Sequence, residues 1–244
     1  MWLLGIVNSI IDLEEIPPLF KLGSICPVYK GGDKDPLLTN NYRGITVNSV
    51  LSKVLEILVL SRLEPTLSEA GFPHLNQSTF RKHTGCGDAI FATQELIARY
   101  ISEGSTVHMC LFDLAKAFDS VEFPVMLDKL FSISVNGKTW RLIRNWYENG
   151  KCFVHVDGLS STPFPVERGV RQGSILSPTL FNIILDPLLR SLEASGLGLS
   201  VNNLYDGAYL HADDIRTLAT SVTILPASTD LRSTQLRLKQ LSAT

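Results

Sequence analysis

The stretch AYLHADDIRTLA, residues 208–219, decides the fold together with VHMCLFD at residues 107–113. In the first stretch, two apolar segments flank Asp213 and Asp214, a pattern typical of two strands joined by an acidic turn. In the second, the uncharged run VHMCLF is short enough for a buried strand, and it stops at Asp113. Both stretches therefore place carboxylates at the ends of predicted strands.

Around these strands, apolar residues recur with the spacing of amphipathic helices. The predicted helices cover residues 1–11, a segment from Asn48 as cap to Pro65 as stop, 88–101, 124–130, 139–147, and a segment that opens at Ser177-Pro178. Asp157-Gly158 predicts a tight hairpin turn after residues 152–156. Because helices and strands are mixed without strict alternation, we expect an α+β fold rather than a doubly wound sheet.

The predicted helix at residues 88–101 has its isoleucines on one side. Within residues 88–101, Ile90, Ile97 and Ile101 fall on one face, and Gly104 ends the pattern. We therefore expect that face to be buried.

Composition narrows the class of protein. The 244 residues are 45% hydrophobic, which is enough for one substantial core or two small ones. With 22 Lys plus Arg against 24 Asp plus Glu, the formal charge of -2 excludes a disordered polyelectrolyte. The longest uncharged run, residues 172–185, is shorter than the roughly 20 apolar residues of a membrane span. The spacing of the four cysteines fits no zinc knuckle or small disulfide scaffold, so we expect a reducing compartment.

The acidic residues form the first candidate site. If the strands that carry Asp113 and Asp213-Asp214 are neighbours, their carboxylates converge and repel unless a cation lies between them. Mg²⁺ takes one or two carboxylates plus waters and phosphates, and two ions about 4 Å apart activate a hydroxyl and stabilise departing pyrophosphate. The alternative is that each Asp only bonds its own turn, as we expect for Asp119 ahead of a helix.

Two further segments have the composition of a ligand site. In the first, Gly173 allows a close backbone approach, and Gln172 offers both a donor and an acceptor. The second contains Lys30, Lys34 and Arg43, which would neutralise phosphates. A loop that needs glycine for its own geometry, and a solvated hairpin with charged edges, are the alternatives. The KGGDK segment lacks the spacing of a P-loop.

Taken in order, these segments resemble the reverse transcriptase domain of non-LTR (LINE-type) retrotransposons. FDLAKAFDSV (residues 112–121), RQGSILSPTLFN (171–182) and HADD (211–214) resemble its three palm motifs. Upstream, PVYKGGDKD, NNYRGIT and SVLSKVLE resemble its fingers, and NQSTFRK (76–82) resembles an element characteristic of these retroelements. The resemblance covers roughly residues 20–225.

The resemblance implies a right-hand polymerase fold, with helical and hairpin fingers and a palm that carries a small antiparallel sheet. Residues 1–104 would form the fingers and N-terminal helices. Residues 105–244 would form the palm, with finger-derived helices between 124 and 150, and would end before the thumb.

The resemblance also implies roles for individual residues. Asp113 and Asp213 would bind two Mg²⁺ ions directly, with Mn²⁺ as a possible substitute; the Leu114 carbonyl would assist, and Asp214 would support them. His211, where the motif usually has Tyr or Phe, would lie next to the primer terminus.

Five more residues would contact the nucleotide. Lys30 and Arg43 would grip the triphosphate, a task that suits the donor fork of Arg. Phe118 would close the space under C2′ of the sugar and so select deoxynucleotides, while Gln172 and Gly173 would touch template and nucleotide.

By this resemblance the chain is an RNA-directed DNA polymerase domain that acts on an RNA template, a DNA primer and deoxynucleoside triphosphates, with no membrane involved. The endonuclease and thumb would lie elsewhere in a longer protein found in the cytoplasm and nucleus. Two alternatives stay open: a truncated or decayed copy that at most binds nucleic acid, and a palm-type nucleotidyl transferase that uses no template. His211 and the missing thumb motivate the first alternative. Arg216 is a second departure from the motif, because it is charged where the motif is commonly apolar.

Overall fold

The computed structural model describes residues 2–81, 84–114 and 116–221. Its helices are α1 (Trp2–Leu13), α2 (Pro18–Lys21), α3 (Val50–Glu69), α4 (Cys86–Ser102), α5 (Phe123–Ser132), α6 (Gly137–Tyr147) and α7 (Ser177–Ala194). Its strands are β1 (Leu22–Tyr29), β2 (Tyr42–Val47), β3 (His108–Asp113), β4 (Lys151–Val156), β5 (Leu159–Ser160), β6 (Phe164–Pro165), β7 (Ser200–Val201), β8 (Leu204–Tyr205), β9 (Ala208–His211) and β10 (Asp214–Ala219). Helices and small sheets are mixed, which confirms the α+β prediction.

The chain forms two compact units. Of the described residues, those within Met1–Ala70 and Phe118–Phe181 make the first, and those within Gly71–Ala117 and Asn182–Thr244 make the second. The predicted boundary between fingers and palm at residues 104 and 105 stays a prediction, because compactness does not by itself define either. Lys82, Ala115 and the predicted palm beyond residue 221 lie outside the described residues.

The first unit contains a sheet in the order β2-β1-β4-β5, with β6 also paired to β4. β1 and β2 form an antiparallel hairpin, whereas β1 and β4 run parallel. Gly23 of β1 allows Thr46 of β2 to lie close to it, since a Cβ at Gly23 would be only 2.6 Å from the Thr46 side chain. Asp157 and Gly158 both have positive φ between β4 and β5, as the predicted hairpin turn requires. The core includes Leu142 and Trp146 of α6, a helix that contacts α3 and α5.

Helix α3 differs from its prediction at both ends. Its cap is Ser49, whose hydroxyl accepts from the Ser52 amide at 3.1 Å, so the prediction of Asn48 was wrong. The helix also continues past Pro65 to Glu69. Proline removes one helical hydrogen bond, but Leu67 in the next turn is buried and holds that turn in place.

The second unit contains the antiparallel sheet β3-β10-β9 and the small β7-β8 pair. The hairpin of β9 and β10 confirms the predicted arrangement of strand, acidic turn and strand. The prediction that β3 is a buried strand was wrong for one of its faces, where the alternate residues Met109 and Leu111 are exposed.

Helix α4 begins two residues earlier than predicted, with the Gly85 amide donating to Asp88 at 2.8 Å. Its predicted apolar side was right only at Ile97, which is partly buried. Ile90 and Ile101 are more than half exposed, and the buried residue is Leu96, which packs in a cluster with Leu199 and Leu218. Of the helices that the structure describes, none is long and apolar enough to cross a membrane.

Candidate active site

The predicted carboxylates meet at one end of the sheet in the second unit. In the β10 register, Asp214 lies opposite Asp113 of β3 on one side and His211 of β9 on the other. Side chains directly opposite each other in antiparallel strands project to the same face, so these three residues form a row across the sheet. We call Asp113, Asp214 and His211 the acidic row. The sequence predicted the convergence only on condition that the strands were neighbours, and they are.

Asp213 occupies a different position from Asp214. It lies in the turn after Ala212, half-exposed, and its carbonyl accepts a hydrogen bond from the Leu114 amide at 3.0 Å. Asp113 and Asp214 are both exposed at the strand ends. The register therefore pairs Asp113 with Asp214, whereas the predicted direct ligands are Asp113 and Asp213. Those roles stay predictions.

The donor chemistry at this row suits a hard divalent ion. Neighbouring exposed carboxylates beside a strand-end carbonyl are the oxygen donors that Mg²⁺ prefers, and Mg²⁺ keeps several waters instead of demanding a full protein cage. Over residues 2–81, 84–114 and 116–221, no group of three or more His, Cys, Asp or Glu side chains converges closely enough to hold a metal. The carboxylates of the row would therefore supply only part of the ligands of a bound ion.

His211 is held on both sides of its ring. Its Nδ1 lies 2.9 Å from the Ser78 hydroxyl, and its Nε2 lies 3.1 Å from the Cys86 sulfur. Neither Ser78 nor Cys86 was predicted as a site residue. The NQSTFRK motif pointed to the segment of Ser78, but spacing carried no signal for Cys86.

Arg216, the other departure from the motif, is buried, and its two terminal guanidinium nitrogens are hydrogen-bonded within the second unit, whereas its Nε has no partner among the described residues. It pairs with the Asp206 carboxylate at 2.7 Å, donates to the Thr93 hydroxyl at 2.6 Å and lies over the Tyr209 ring at 5.1 Å. Burial raises the pKa of Asp206, and the charge of Arg216 opposes that rise. A charged residue fits this strand because it ties β10 to α4.

A cavity of about 480 Å³ lies beside the acidic row, between α4 and the sheet. Besides the row itself, its lining includes Ile90, Thr93, Met109, Leu111, Tyr209 and Arg216. The carboxylates thus stand at an open, largely apolar surface within the second unit.

The other predicted site residues lie in the first unit. The Gln172 carbonyl accepts from the Thr46 amide at 2.6 Å. Gly173 has φ +112°, and a Cβ there would lie 2.5 Å from the Thr46 carbonyl oxygen. Glycine is therefore required by the loop itself, which supports the geometric explanation of Gly173, and its ligand role stays a prediction.

A buried glutamate that the sequence analysis missed anchors the same loop. Glu56 of α3 accepts from the Ser174 hydroxyl at 2.9 Å and from the amides of Ile175 and Leu176 at 2.5 and 3.4 Å. Burial raises the pKa of Glu56, and these hydrogen bonds oppose that rise. The available signal was a single carboxylate within the apolar run of residues 54–60 in α3.

The side chains next to the loop are also held. The Gln172 amide donates to the Asp119 carboxylate at 3.3 Å, so Asp119 contacts a candidate site residue and is more than a turn residue. Arg171 is buried and donates to the Asn48 side chain at 3.2 Å, which explains why Asn48 is unavailable as a helix cap. Phe118 stacks on Phe181 with ring centroids 4.6 Å apart.

Lys30 and Arg43 are exposed on the β1-β2 hairpin. Arg43 lies opposite Val28 in the register, and the Lys30 ammonium donates to the Asn40 carbonyl at 2.8 Å. Lys34 is exposed in the connecting loop. A solvated hairpin and a phosphate-binding hairpin are both compatible with these positions.

The family of the chain follows from a comparison of its whole length. Residues 29–243 match the family described as Reverse transcriptase (RNA-dependent DNA polymerase). The chain belongs to the reverse transcriptase family. This membership confirms the resemblance drawn from the ordered motifs.

Curated relatives specify the branch of the family. The chain is 29% identical, over 95% of its length, to the RNA-directed DNA polymerase from mobile element jockey of Drosophila funebris. It is 31% identical, over 72% of its length, to the Pol polyprotein from type-2 retrotransposable element R2DM of Drosophila melanogaster. It spans 25% and 16% of these two relatives, so it corresponds to a part of each.

Solved structures confirm the fold. Apo telomerase from Candida tropicalis superposes with a TM-score of 0.63 at 14% identity, covering 90% of this reverse transcriptase chain and 42% of the telomerase. At that identity the likeness concerns the fold alone. It confirms the predicted polymerase fold with a small antiparallel sheet.

Proposed function

We propose that this chain is the polymerase domain of a retrotransposon RNA-directed DNA polymerase, and that it extends a DNA primer along an RNA template. The observation that carries the proposal is the acidic row, in which Asp113 and Asp214 are register partners next to the Asp213 turn. Its support is the family match together with the order of the motifs.

In the proposed reaction, the primer 3′-hydroxyl attacks the α-phosphorus of a deoxynucleoside triphosphate, a new phosphodiester bond forms, and pyrophosphate leaves. Reverse transcriptases generally use divalent metal ions, and we propose Mg²⁺, with Mn²⁺ as a substitute. The ions would lower the pKa of the hydroxyl and neutralise charge on the leaving group. Asp113 and Asp213 would hold them with the Leu114 carbonyl, and Asp214 would support that arrangement.

The residues of the first unit would handle the nucleotide. Lys30 and Arg43 are exposed cations on one hairpin and would bind the triphosphate. Gln172, oriented by Asp119, would contact template and nucleotide together with Gly173. Phe118, braced by Phe181, would exclude a 2′-hydroxyl. In the second unit, His211 would lie next to the primer terminus.

The remaining partners follow from the same proposal. The chain spans a quarter or less of the relatives described above, so the endonuclease and thumb would lie in other parts of a longer protein. From the family resemblance we also propose an intracellular, reducing location in the cytoplasm and nucleus.

Primer extension on an RNA template tests the proposal. We expect Asp213→Asn to reduce incorporation by at least about 100-fold, since losing a metal-binding carboxylate removes several kcal/mol of transition-state stabilisation. Asp157→Asn is the matched control, because Asp157 also lies in a hairpin turn and Asn tolerates its positive φ of 49°.

Three results would contradict the proposal. Equal incorporation by wild type and Asp213→Asn would remove the metal assignment. A product whose sequence ignores the template would indicate a template-independent transferase. A folded wild-type chain that binds primer and template but adds no nucleotide would indicate a decayed copy.

A further inference from the structure

The segment Asn76–Thr79 of the second unit lies beside β9 and is joined to it by backbone hydrogen bonds. Gln77 forms a parallel bridge with Leu210. The Leu210 amide donates to the Asn76 carbonyl at 2.8 Å, and the Ser78 amide donates to the Leu210 carbonyl at 3.1 Å. The backbone of this segment is therefore fixed to the strand that leads into the acidic turn.

The last two residues of the segment reach the turn itself. The Thr79 hydroxyl accepts a hydrogen bond from the Ala212 amide. The Ser78 hydroxyl lies 2.9 Å from the His211 ring nitrogen Nδ1. Ala212 has φ +55°, a conformation that an alanine rarely adopts without support. Thr79 supplies that support one residue before Asp213.

The other side of the segment is tied to α7. The Gln77 amide donates to the Asn182 side chain at 3.1 Å, and the Asn182 amide donates back to the Thr79 carbonyl at 3.0 Å. Gln77, Ser78 and Asn182 are each less than 5% exposed. Because these buried groups satisfy one another, the segment has little freedom to shift, and the Thr79 hydroxyl is held at one place.

We propose that Thr79 and Ser78 are positioning residues for the acidic turn: Thr79 holds the Ala212 backbone and Ser78 holds the His211 ring, so that the carboxylates are preorganised for the divalent ions. This proposal rests on the proposed function. Groups that orient metal ligands typically change metal affinity or activity by about 10- to 100-fold when they are removed.

The test compares Thr79→Val, which keeps the shape but loses the acceptor, with Thr79→Ser, which keeps the hydroxyl. Thr106→Val is the matched control, since Thr106 is an exposed threonine of the same unit in the loop before β3. Two quantities are measured: the dissociation constant for Mn²⁺, from the spin resonance signal of the free ion without substrates, and the Mg²⁺ concentration that gives half-maximal primer extension.

We expect Thr79→Val to raise both quantities by about 10-fold or more, with an unchanged KM for the primer and template, and Thr79→Ser to restore them. Thr106→Val should match wild type. Wild-type values for Thr79→Val, or equal losses in Thr79→Val and Thr79→Ser, would overturn the positioning role.

Thermal unfolding of each variant separates positioning from folding. If Thr79→Val does not fold, Ser78→Ala is measured in its place, and a wild-type Mn²⁺ dissociation constant there overturns the proposal. Failure of the proposed function looks different, because the wild type itself would then lack templated extension. The Mn²⁺ measurement needs no catalysis and still decides whether Thr79 organises the ion site.

Discussion

Phe118 has an orientation fixed by its neighbours, which the proposed selection of deoxynucleotides requires. It stacks on Phe181 with an interplanar angle of 19°, so its orientation is set by an aromatic neighbour within the first unit. The Val170 amide donates to the Phe118 carbonyl at 2.9 Å, which fixes the backbone as well. A ring held in this way can exclude a hydroxyl group by contact, whereas a mobile side chain would move aside.

We expect Phe118→Val to admit ribonucleotides, because the smaller side chain leaves room for a 2′-hydroxyl. The ratio of ribonucleotide to deoxynucleotide incorporation should rise by about 10- to 100-fold, the usual size of discrimination by the shape of a pocket. The ratio is measured in one preparation, so it does not depend on how much of the variant folds. Unchanged sugar discrimination would refute the role of Phe118.

At the scale of elements, α3 and the loop that leads into α7 depend on one carboxylate. Glu56 is fully buried and accepts hydrogen bonds from the loop at Ser174 and Ile175. The pKa of Glu56 is raised by burial above its ordinary value of 4.5. The folded state therefore binds a proton at Glu56 more tightly than the unfolded state does, and the resulting stability is lost as the pH rises through the folded pKa.

We expect this linkage to disappear in Glu56→Gln. The free energy of unfolding of wild type minus that of Glu56→Gln should increase as the pH falls from about 8 to about 5, because protonation of Glu56 favours the folded state. Urea unfolding at each pH measures the difference. Glu64→Gln, at an exposed position of the same helix, is the control. It measures how much the free-energy difference changes with pH when a glutamate that is not buried is replaced. A difference independent of pH would contradict the assignment.

At the scale of the whole molecule, stability comes from buried apolar residues on helices that the sequence pattern identified. Leu142 of α6 is fully buried, and α6 contacts α3 and α5 in the first unit. We expect Leu142→Ala to lower the free energy of unfolding by about 2–5 kcal/mol, through lost burial and the cavity left behind. Leu159→Ala, at a position 77% exposed, is the control and should change it by less than about 0.5 kcal/mol. Equal urea midpoints for the two variants would contradict this picture of the core.

The sequence by itself determined the elements and the family. Alternation around Asp213 and Asp214 predicted two strands and a turn, Asp157-Gly158 predicted its hairpin, and the order of the motifs identified a reverse transcriptase. These predictions succeed because periodicity, turn chemistry and motif order are local properties of a chain. They failed where tertiary packing overrides local preference. Helix α3 continues through Pro65 because its next turn is buried, and Ile90 of α4 is left exposed because the helix packs through Leu96 instead.

Only the tertiary structure decided which side chains meet. It paired Asp113 with Asp214, buried Glu56 under the loop that carries Gln172, and brought Thr79 to the amide of Ala212. Thr79 and Ala212 are 133 residues apart, and nothing in either neighbourhood encodes the other. Such contacts depend on strand register and on the packing of distant elements, and a one-residue shift of register would send the same side chains to opposite faces.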